Sequence, residues 1–316
     1  MDCVPEVQTR ALGTGVALKP GSPSGGCPVC GCESRLRVTE RNQLSVVRCP
    51  QCGQRYVWPV PSQEMLARIY DRGYYQGAHG SLGFKDYAAL APARHRMFAR
   101  HLDRIERLLP RGRVLDVGCA TGDFLAVART RGWDALGVDP SPAREQALAA
   151  GFEMVGQTIH DAQVEPGSVD LVTFWDVLEH VQNPVADLRR ARELLSPQGL
   201  VAITVPDSGS AVARLSGDRW FGYKTAGEHL QFFSAATLQK TFGAAGLELI
   251  VRRPVAWSCT LGFLVDRAGL YLGPPGRALN RLASRTGLGS LIVDVPQVNQ
   301  FGIGRRTERS ASNVAA

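Results

Sequence analysis

Val114-Leu115-Asp116-Val117-Gly118-Cys119-Ala120-Thr121-Gly122-Asp123-Phe124 is the stretch on which the fold turns. An apolar run suited to a buried strand passes into a loop with Gly118 and Gly122, and a helical pattern follows from Phe124 to Arg131. Glycines at these places let the backbone turn tightly and approach a ligand. Asp116 falls at the carboxyl end of the strand, where open α/β sheets bind ligands. The next strand run, Ala135 to Val138, ends in Asp139, an acid placed to accept both hydroxyls of a ribose. Strand, glycine loop, helix, strand and acid read as a nucleoside-binding unit rather than a plain βαβ crossover. The P-loop pattern Gly-x4-Gly-Lys-Ser/Thr and the dinucleotide fingerprint are both absent.

Outward from this unit the alternation continues. Strand runs are predicted at Val169 to Trp175, Leu200 to Val205 and Leu247 to Val251. Helices are predicted at Ala143 to Ala150, Val185 to Leu195 (after Asn183-Pro184) and Ala235 to Ala245. Upstream, Met97, Phe98, Leu102, Ile105, Leu108 and Leu109 recur at helical steps until Pro110 and Gly112. Such alternation predicts an α/β fold, a mostly parallel sheet with helices on both faces. Residues 257–290 read as apolar helices broken by Gly273-Pro274-Pro275-Gly276, and residues 291–304 as a last strand.

Ahead of this region stand two C-x-x-C pairs, Cys27 with Cys30 and Cys49 with Cys52, each closed by a glycine. Their separation is that of a four-thiolate zinc site, with two disulfides as the alternative. Nothing in the sequence suggests the secreted setting that disulfides favour. The expected organisation is a disordered lead at 1–26, a zinc ribbon at 27–60, and a helical connector at 61–112. The sheet domain follows at 113–306, with 257–290 as a helical insertion, and a polar tail occupies 307–316. Tyr70, Tyr74, Tyr75 and Phe84 form an aromatic cluster in the connector.

The 316 residues are 44% hydrophobic and 21% charged, which excludes collagen-like, mucin-like and wholly disordered chains. No apolar stretch reaches the ~20 residues of a membrane span. The first residues lack the pattern of a secretory signal, so a cytoplasmic location is expected. The net charge of +7 comes mostly from arginines scattered along the chain, which reads as a solvated surface that permits an anionic partner without demanding one.

The loop D-x-G-C-x-T-G-x-F resembles the first motif of the class I S-adenosylmethionine (SAM) methyltransferases, and the resemblance extends over residues 113–250. The run Ser168 to Val181 is similar to the fourth-strand motif of the branch containing the ubiquinone-type O-methyltransferases. Leu194 to Leu200 and Val205-Pro206-Asp207 are similar to the following helix, turn and fifth strand. The resemblance implies a Rossmann-like, seven-stranded sheet that binds SAM through Asp116, Gly118, Cys119, Gly122 and Asp139, with Asp161-Ala162 along the adenine. Ala120 stands where many members have glycine. Trp175 and the tyrosines near residues 70–75 offer aromatic faces to the sulfonium, or else pack the core.

For the chemistry, two Glu-His pairs stand out: Glu179-His180 and Glu228-His229. His180 follows the fourth strand, where it is either a base or a partner of nearby backbone. The run Gly227 to Ser234 resembles a Glu-His-Leu-x-x-Phe-Ser segment found after the fifth strand in this branch. A similar segment in zinc-containing deoxysugar C-methyltransferases implies catalysis by Glu228 and His229; the tyrosine those enzymes place before it is Ala226 here. His229 is the first candidate for a general base. The Asn/Asp-Pro-Pro-Tyr signature of amino-group nucleic-acid methyltransferases is absent. The leading expectation is methyl transfer to a small-molecule, sugar or lipid-linked acceptor. RNA methylation with a docking ribbon, and a non-catalytic ribbon protein with a vestigial SAM fold, are the alternatives.

Overall fold

The computed structural model describes residues 25–41, 44–62, 65–66, 87–272 and 288–307. The sequence expectations for the lead, the aromatic cluster at 70–84, the Gly-Pro-Pro-Gly break and the residues after 307 lie outside the described residues.

The ribbon comprises β1 (Leu36–Arg41), β2 (Leu44–Arg48) and β3 (Arg55–Trp58). Next comes α1 (Ala91–Ile105), which opens the larger body with Met97, Phe98, Leu102 and Ile105 along its buried face. The helix ends four residues sooner than the spacing predicts: Leu108 and Leu109 both bond back to the Ile105 carbonyl, and Leu108 turns to solvent.

The first half of the sheet domain is β4 (Arg113–Val117), α2 (Asp123–Thr130), β5 (Asp134–Val138), α3 (Arg144–Ala149) and β6 (Glu153–Gly156). The second is β7 (Val169–Trp175), α4 (Pro184–Leu194), β8 (Leu195–Pro206), α5 (Ala211–Ser216), β9 (Gln231–Phe232), α6 (Ala235–Ala244), β10 (Leu247–Thr260), α7 (Leu261–Leu272) and β11 (Ile292–Arg306).

Seven strands form one sheet in the order β10-β11-β8-β7-β4-β5-β6. The five from β8 to β6 run parallel, and β11 and β10 are antiparallel. Central strands are covered on both faces, so β4 and β7 stay buried along most of their length rather than alternating, with Asp116 and Thr173 as buried polar exceptions to their apolar side chains. Leu115, Val172, Phe174 and Ile203 face α4 and α6, while Val114, Leu171, Ala202 and Phe301 face α1 and α2. At α4 the Asn183 side chain accepts the Ala186 N–H at 3.0 Å, which explains the start read from Asn183-Pro184.

One expectation is corrected. Residues 257–260 continue β10 instead of opening a helix, because Trp257 and Cys259 pair with Val295 and Val293 of β11. The helical part begins at Leu261. Among the described residues no helix is long and apolar enough to cross a membrane.

The ribbon is joined to the larger body by strand pairing. Its small antiparallel sheet runs β1-β2-β3-β9, so its last strand comes from the segment that carries His229. Leu44, Val46 and Val57 of the ribbon share an apolar cluster with Trp220, Tyr223, Leu230 and Phe232. Lys240 on α6 donates to the Cys52 carbonyl at 2.8 Å.

Candidate active site and cysteine cluster

The two cysteine turns have the same construction. The Gly31 N–H bonds the Cys27 carbonyl at 2.8 Å, and the Gly53 N–H bonds the Cys49 carbonyl at 3.0 Å. Both glycines have a left-handed backbone, φ 74° and 85°, which a side chain would strain. The four sulfurs lie within 4.8 Å of one another. Cys27 and Cys52 are 3.4 Å apart and Cys30 and Cys49 3.5 Å apart. A disulfide needs about 2.05 Å. Four thiolates at about 2.3 Å from a tetrahedral zinc ion would stand about 3.8 Å from one another, so the set fits zinc. Burial pushes the Cys27 and Cys52 thiols up, Cys52 to about 11. At Cys49, hydrogen bonds led by the Cys52 N–H outweigh burial and bring it down to about 6. Cys32 stays outside the cluster, its thiol directed at the Ser34 carbonyl.

At the carboxyl edge of the sheet, the glycine loop leaves β4 with Gly118 at φ 74°, Ala120 at φ 47° and Gly122 at φ 84°. The Gly118 and Cys119 N–H groups both bond the Val138 carbonyl, which pins the loop to β5. A side chain at Gly118 would collide with Val177, 2.6 Å away. The Cys119 thiol is buried against Met154, so this residue offers its backbone rather than its sulfur.

Asp139 is anchored through Oδ2 by the Ala120 N–H at 2.8 Å and through Oδ1 by the Ser141 N–H at 2.7 Å. Asp116 accepts the Thr173 hydroxyl at 2.6 Å. Both carboxylates are raised, first by burial and, at Asp116, also by the charge of Asp139, with their hydrogen bonds opposing. Two buried, mutually repelling carboxylates at neighbouring strand ends suit a ligand bringing hydroxyls and positive charge. The ribose and the methionine ammonium group of SAM meet that requirement.

Asp161 is half a turn brace: Oδ1 accepts the Thr158 N–H at 2.6 Å, and these bonds outweigh burial to lower its pKa. Ala162 is buried against Gly156, where a side chain would meet its Cα at 3.0 Å. Trp175 lies in the apolar layer beneath α1, stacked on His101 at 5.0 Å between ring centres and tilted against Phe124 at 5.3 Å. Its environment here is that of a packing residue. Burial drives its neighbour His101 down to about 3, so that imidazole is neutral.

The candidate catalytic side chains meet where β7 and β9 approach. Leu230 and Gln231 both donate their N–H groups to the Glu179 carbonyl, at 2.6 and 2.9 Å. That contact carries His229 beside His180, the two rings edge-on with centres 4.6 Å apart. His180 Nδ1 lies 2.9 Å from the Glu228 carbonyl. A neutral imidazole making this bond donates from Nδ1, which leaves Nε2 as the acceptor nitrogen. Glu228 meets His180 through its main-chain carbonyl, and its charge also acts on Glu179. The carboxyl beside the imidazoles belongs to Glu179, 3.9 Å from His180 Nε2.

Glu179 is 1% exposed, and among the described residues its Oε2 has no hydrogen-bond partner. Burial, then the charge of Asp176, hold it well above the usual carboxylate range. Burial also lowers His180 to about 4, and burial with the charge of His180 lowers His229. Both imidazoles are thus neutral at pH 7. The ligand atoms of Glu179, His180 and His229 lie within 4.8 Å of one another, a donor set that also suits a divalent cation.

Asp176 has a left-handed backbone at φ 53°, accepts the Asn299 amide at 2.9 Å, and is raised by burial to about 6. Tyr87 was unmarked in the sequence reading. It lies under the Arg94 guanidinium, 3.7 Å from its ring centre, and feels the charges of Asp123, Asp139 and Asp176. Arg94 in turn binds Asp123 at the start of α2. No local motif marks Tyr87 or Arg94, whereas Glu179 stands in the first of the two Glu-His pairs.

Known proteins similar to this chain are methyltransferases by their descriptions. A family model described as a methyltransferase domain matches residues 93–251. The chain is 30% identical over 149 residues to the ubiquinone biosynthesis O-methyltransferase of Azorhizobium caulinodans, covering 43% of this chain and 59% of that relative. It therefore spans less than two thirds of that relative's length. The relative of the same name from Xanthomonas euvesicatoria pv. vesicatoria is 29% identical over 215 residues, covering 64% and 81% of the two chains. A solved SAM-dependent methyltransferase of Thermotoga maritima, described as a possible histamine N-methyltransferase, is 20% identical with a TM-score of 0.44, over 67% of this chain and 91% of that one.

Proposed function

The chain belongs to the methyltransferase-domain family and has the class I SAM-dependent methyltransferase fold; from that premise we propose that it transfers a methyl group to a small-molecule, sugar or lipid-linked acceptor. The observation that carries this reading is the paired, neutral His180 and His229 beside Glu179, at the sheet edge that also holds Asp116 and Asp139. When bound, SAM supplies an electrophilic methyl group on a sulfonium. Asp139 would hold the ribose hydroxyls, Asp116 and the backbone at Gly118, Cys119 and Gly122 the methionine part, and Asp161-Ala162 the adenine edge.

His229 is placed to accept the proton of an acceptor hydroxyl: burial keeps its imidazole unprotonated at pH 7, though it also makes it a weaker base than a solvated histidine. His180 is a positioning residue: the Glu228 carbonyl fixes its ring against that of His229. Glu179, whose carboxyl burial and the charge of Asp176 hold well above the usual range, donates a hydrogen bond toward the imidazoles or the acceptor when it carries its proton. Holding acceptor and methyl in line contributes several kcal/mol, about 7–11 at best. The four thiols take a structural zinc ion, which supplies folding energy and no chemistry.

The test is incubation of the purified chain with methyl-labelled SAM and a bacterial lysate, followed by separation of products. Label in an organic or small aqueous fraction is expected; label released only by ribonuclease would replace this reading with RNA methylation. His229→Asn should lower the labelling rate about 10²–10⁴-fold with SAM affinity intact. A rate within about twofold of the parent would remove the base from the mechanism.

A further inference from the structure

A cavity of about 460 Å³ opens at the seam between the ribbon and the sheet domain. Arg48 at the end of β2 and Arg55 at the start of β3 line it from the ribbon side. Ser208, Arg214 and Asp218 line it from the segment after β8, with Ser234 at the cap of α6. Three guanidinium groups thus face one carboxylate. Among the described residues, the Arg48 and Arg214 side chains make no hydrogen bond or ion pair. Arg55 donates from one terminal nitrogen to the Ser208 carbonyl at 3.3 Å, which fixes its direction, while its buried Nε has no partner.

Three arginines against one aspartate leave a surplus of positive charge, which an anion neutralises. The guanidinium fork matches phosphate oxygens, and two or three such forks converging in a concavity are a phosphate-binding arrangement. The volume falls in the range of small-ligand pockets, about 300–1,000 Å³. Position completes the case. Ser234 on the cavity wall and His229 at the catalytic cluster are joined by a five-residue stretch, which spans at most about 18 Å when fully extended. That span limits the distance that a ligand held in the cleft by a diphosphate has to bridge to bring a hydroxyl-bearing group to the imidazoles, which do not themselves line the cavity.

The geometry points to a diphosphate-binding cleft: Arg48, Arg55 and Arg214 hold the diphosphate of the methyl acceptor, whether that group belongs to a soluble nucleoside diphosphate derivative or to a phosphorylated lipid. This rests on the methyltransferase reading above. It converts a small-molecule acceptor into an anionic one gripped at the ribbon seam.

The full chain is titrated calorimetrically, at low ionic strength, with inorganic pyrophosphate, with UDP, and with phosphatidylcholine vesicles containing phosphatidic acid. A SAM titration is run in parallel. Pyrophosphate should bind, and the double variant Arg48→Ala/Arg214→Ala should weaken it about tenfold or more with SAM affinity unchanged. Both side chains are exposed, so the variant keeps the fold. UDP binding more tightly than pyrophosphate supports a soluble nucleotide acceptor. Vesicle binding that the double variant abolishes supports a lipid phosphate. No pyrophosphate binding, or binding indifferent to the two substitutions, overturns the cleft. Pyrophosphate binding without SAM binding would sink the methyltransferase reading and leave the cleft standing as an anion site; SAM binding without pyrophosphate binding would do the reverse.

Discussion

In the sheet domain Leu115, Val172, Phe174 and Ile203 are fully buried between two helical layers. In the ribbon the corresponding central places go to Cys27, Cys49, Cys52 and Val47 around a single tyrosine, Tyr56. The sheet draws its stability from apolar area removed from water, about 25 cal/mol per Å². A ribbon of this size cannot assemble such an area; on the proposed zinc reading it depends on its thiolates and their metal, together with the apolar seam it shares with Trp220, Tyr223 and Phe232. One chain thus contains two regions whose folding responds to different reagents.

Metal removal should separate them most sharply. Structural zinc contributes about 10–16 kcal/mol in isolated zinc fingers. Treatment with a strong chelator should expose the amides of residues 36–58 to hydrogen exchange while β4, β5 and β7 remain protected. Equal loss of protection in both regions would mean that the sheet depends on the ribbon.

Next in size is Phe174→Ala, which opens a cavity in the centre of the sheet and should cost about 3–5 kcal/mol in urea denaturation. Val46→Ala, equally buried in the ribbon, should change the urea midpoint less while metal is present.

Acid should act on the sheet through Glu106. Burial alone would raise this carboxyl, but hydrogen bonds from Arg131, Arg111 and Trp133 outweigh it and hold it at about 2. A carboxylate depressed in the folded state stabilises above its ordinary range near 4.5, and that stability is lost as pH falls toward 2. Glu106→Gln should lower stability at pH 7 by on the order of 2 kcal/mol and flatten the dependence between pH 5 and about 2. The smallest effect expected is that of Asn183→Ala, about 1 kcal/mol from the lost cap of α4, read as a small shift in thermal midpoint.

The same contrast explains what the sequence made legible. The alternating strands and helices from Val114 to Val138, the glycine loop, Asp139 and the two cysteine pairs are local patterns found where the sequence puts them, whereas β6, α5 and β9 are too short to show a period of their own. The edge strands were harder to read. Residues 257–260 carry apolar side chains that suit either a covering helix or a strand, and pairing with a β11 more than thirty residues onward decides the matter. In the candidate site, His180 and His229 were marked by their Glu-His pairs. That Glu179 supplies the nearby carboxyl and Glu228 a carbonyl depends on β9 lying against the end of β7. Arg48, Arg55 and Arg214 read as scattered surface charge because only the seam brings them together.

The pairing of β3 with β9 also has a consequence in time. Gln54 and its partner Gln231 are 177 residues apart in the chain. At a synthesis rate of about 5–20 residues per second, the ribbon leaves the ribosome roughly 10–35 seconds before the strand that completes its sheet. During that interval the outer edge of β3 carries unpaired backbone groups, and Val46 and Val57 lack the apolar neighbours they later share. Early capture of metal would give the nascent ribbon its shape, and arrival of the His229 segment would close its edge. The segment that closes the small sheet is therefore also the one that brings His229 beside His180, so the edge of the ribbon and the paired imidazoles are completed by the same stretch of chain.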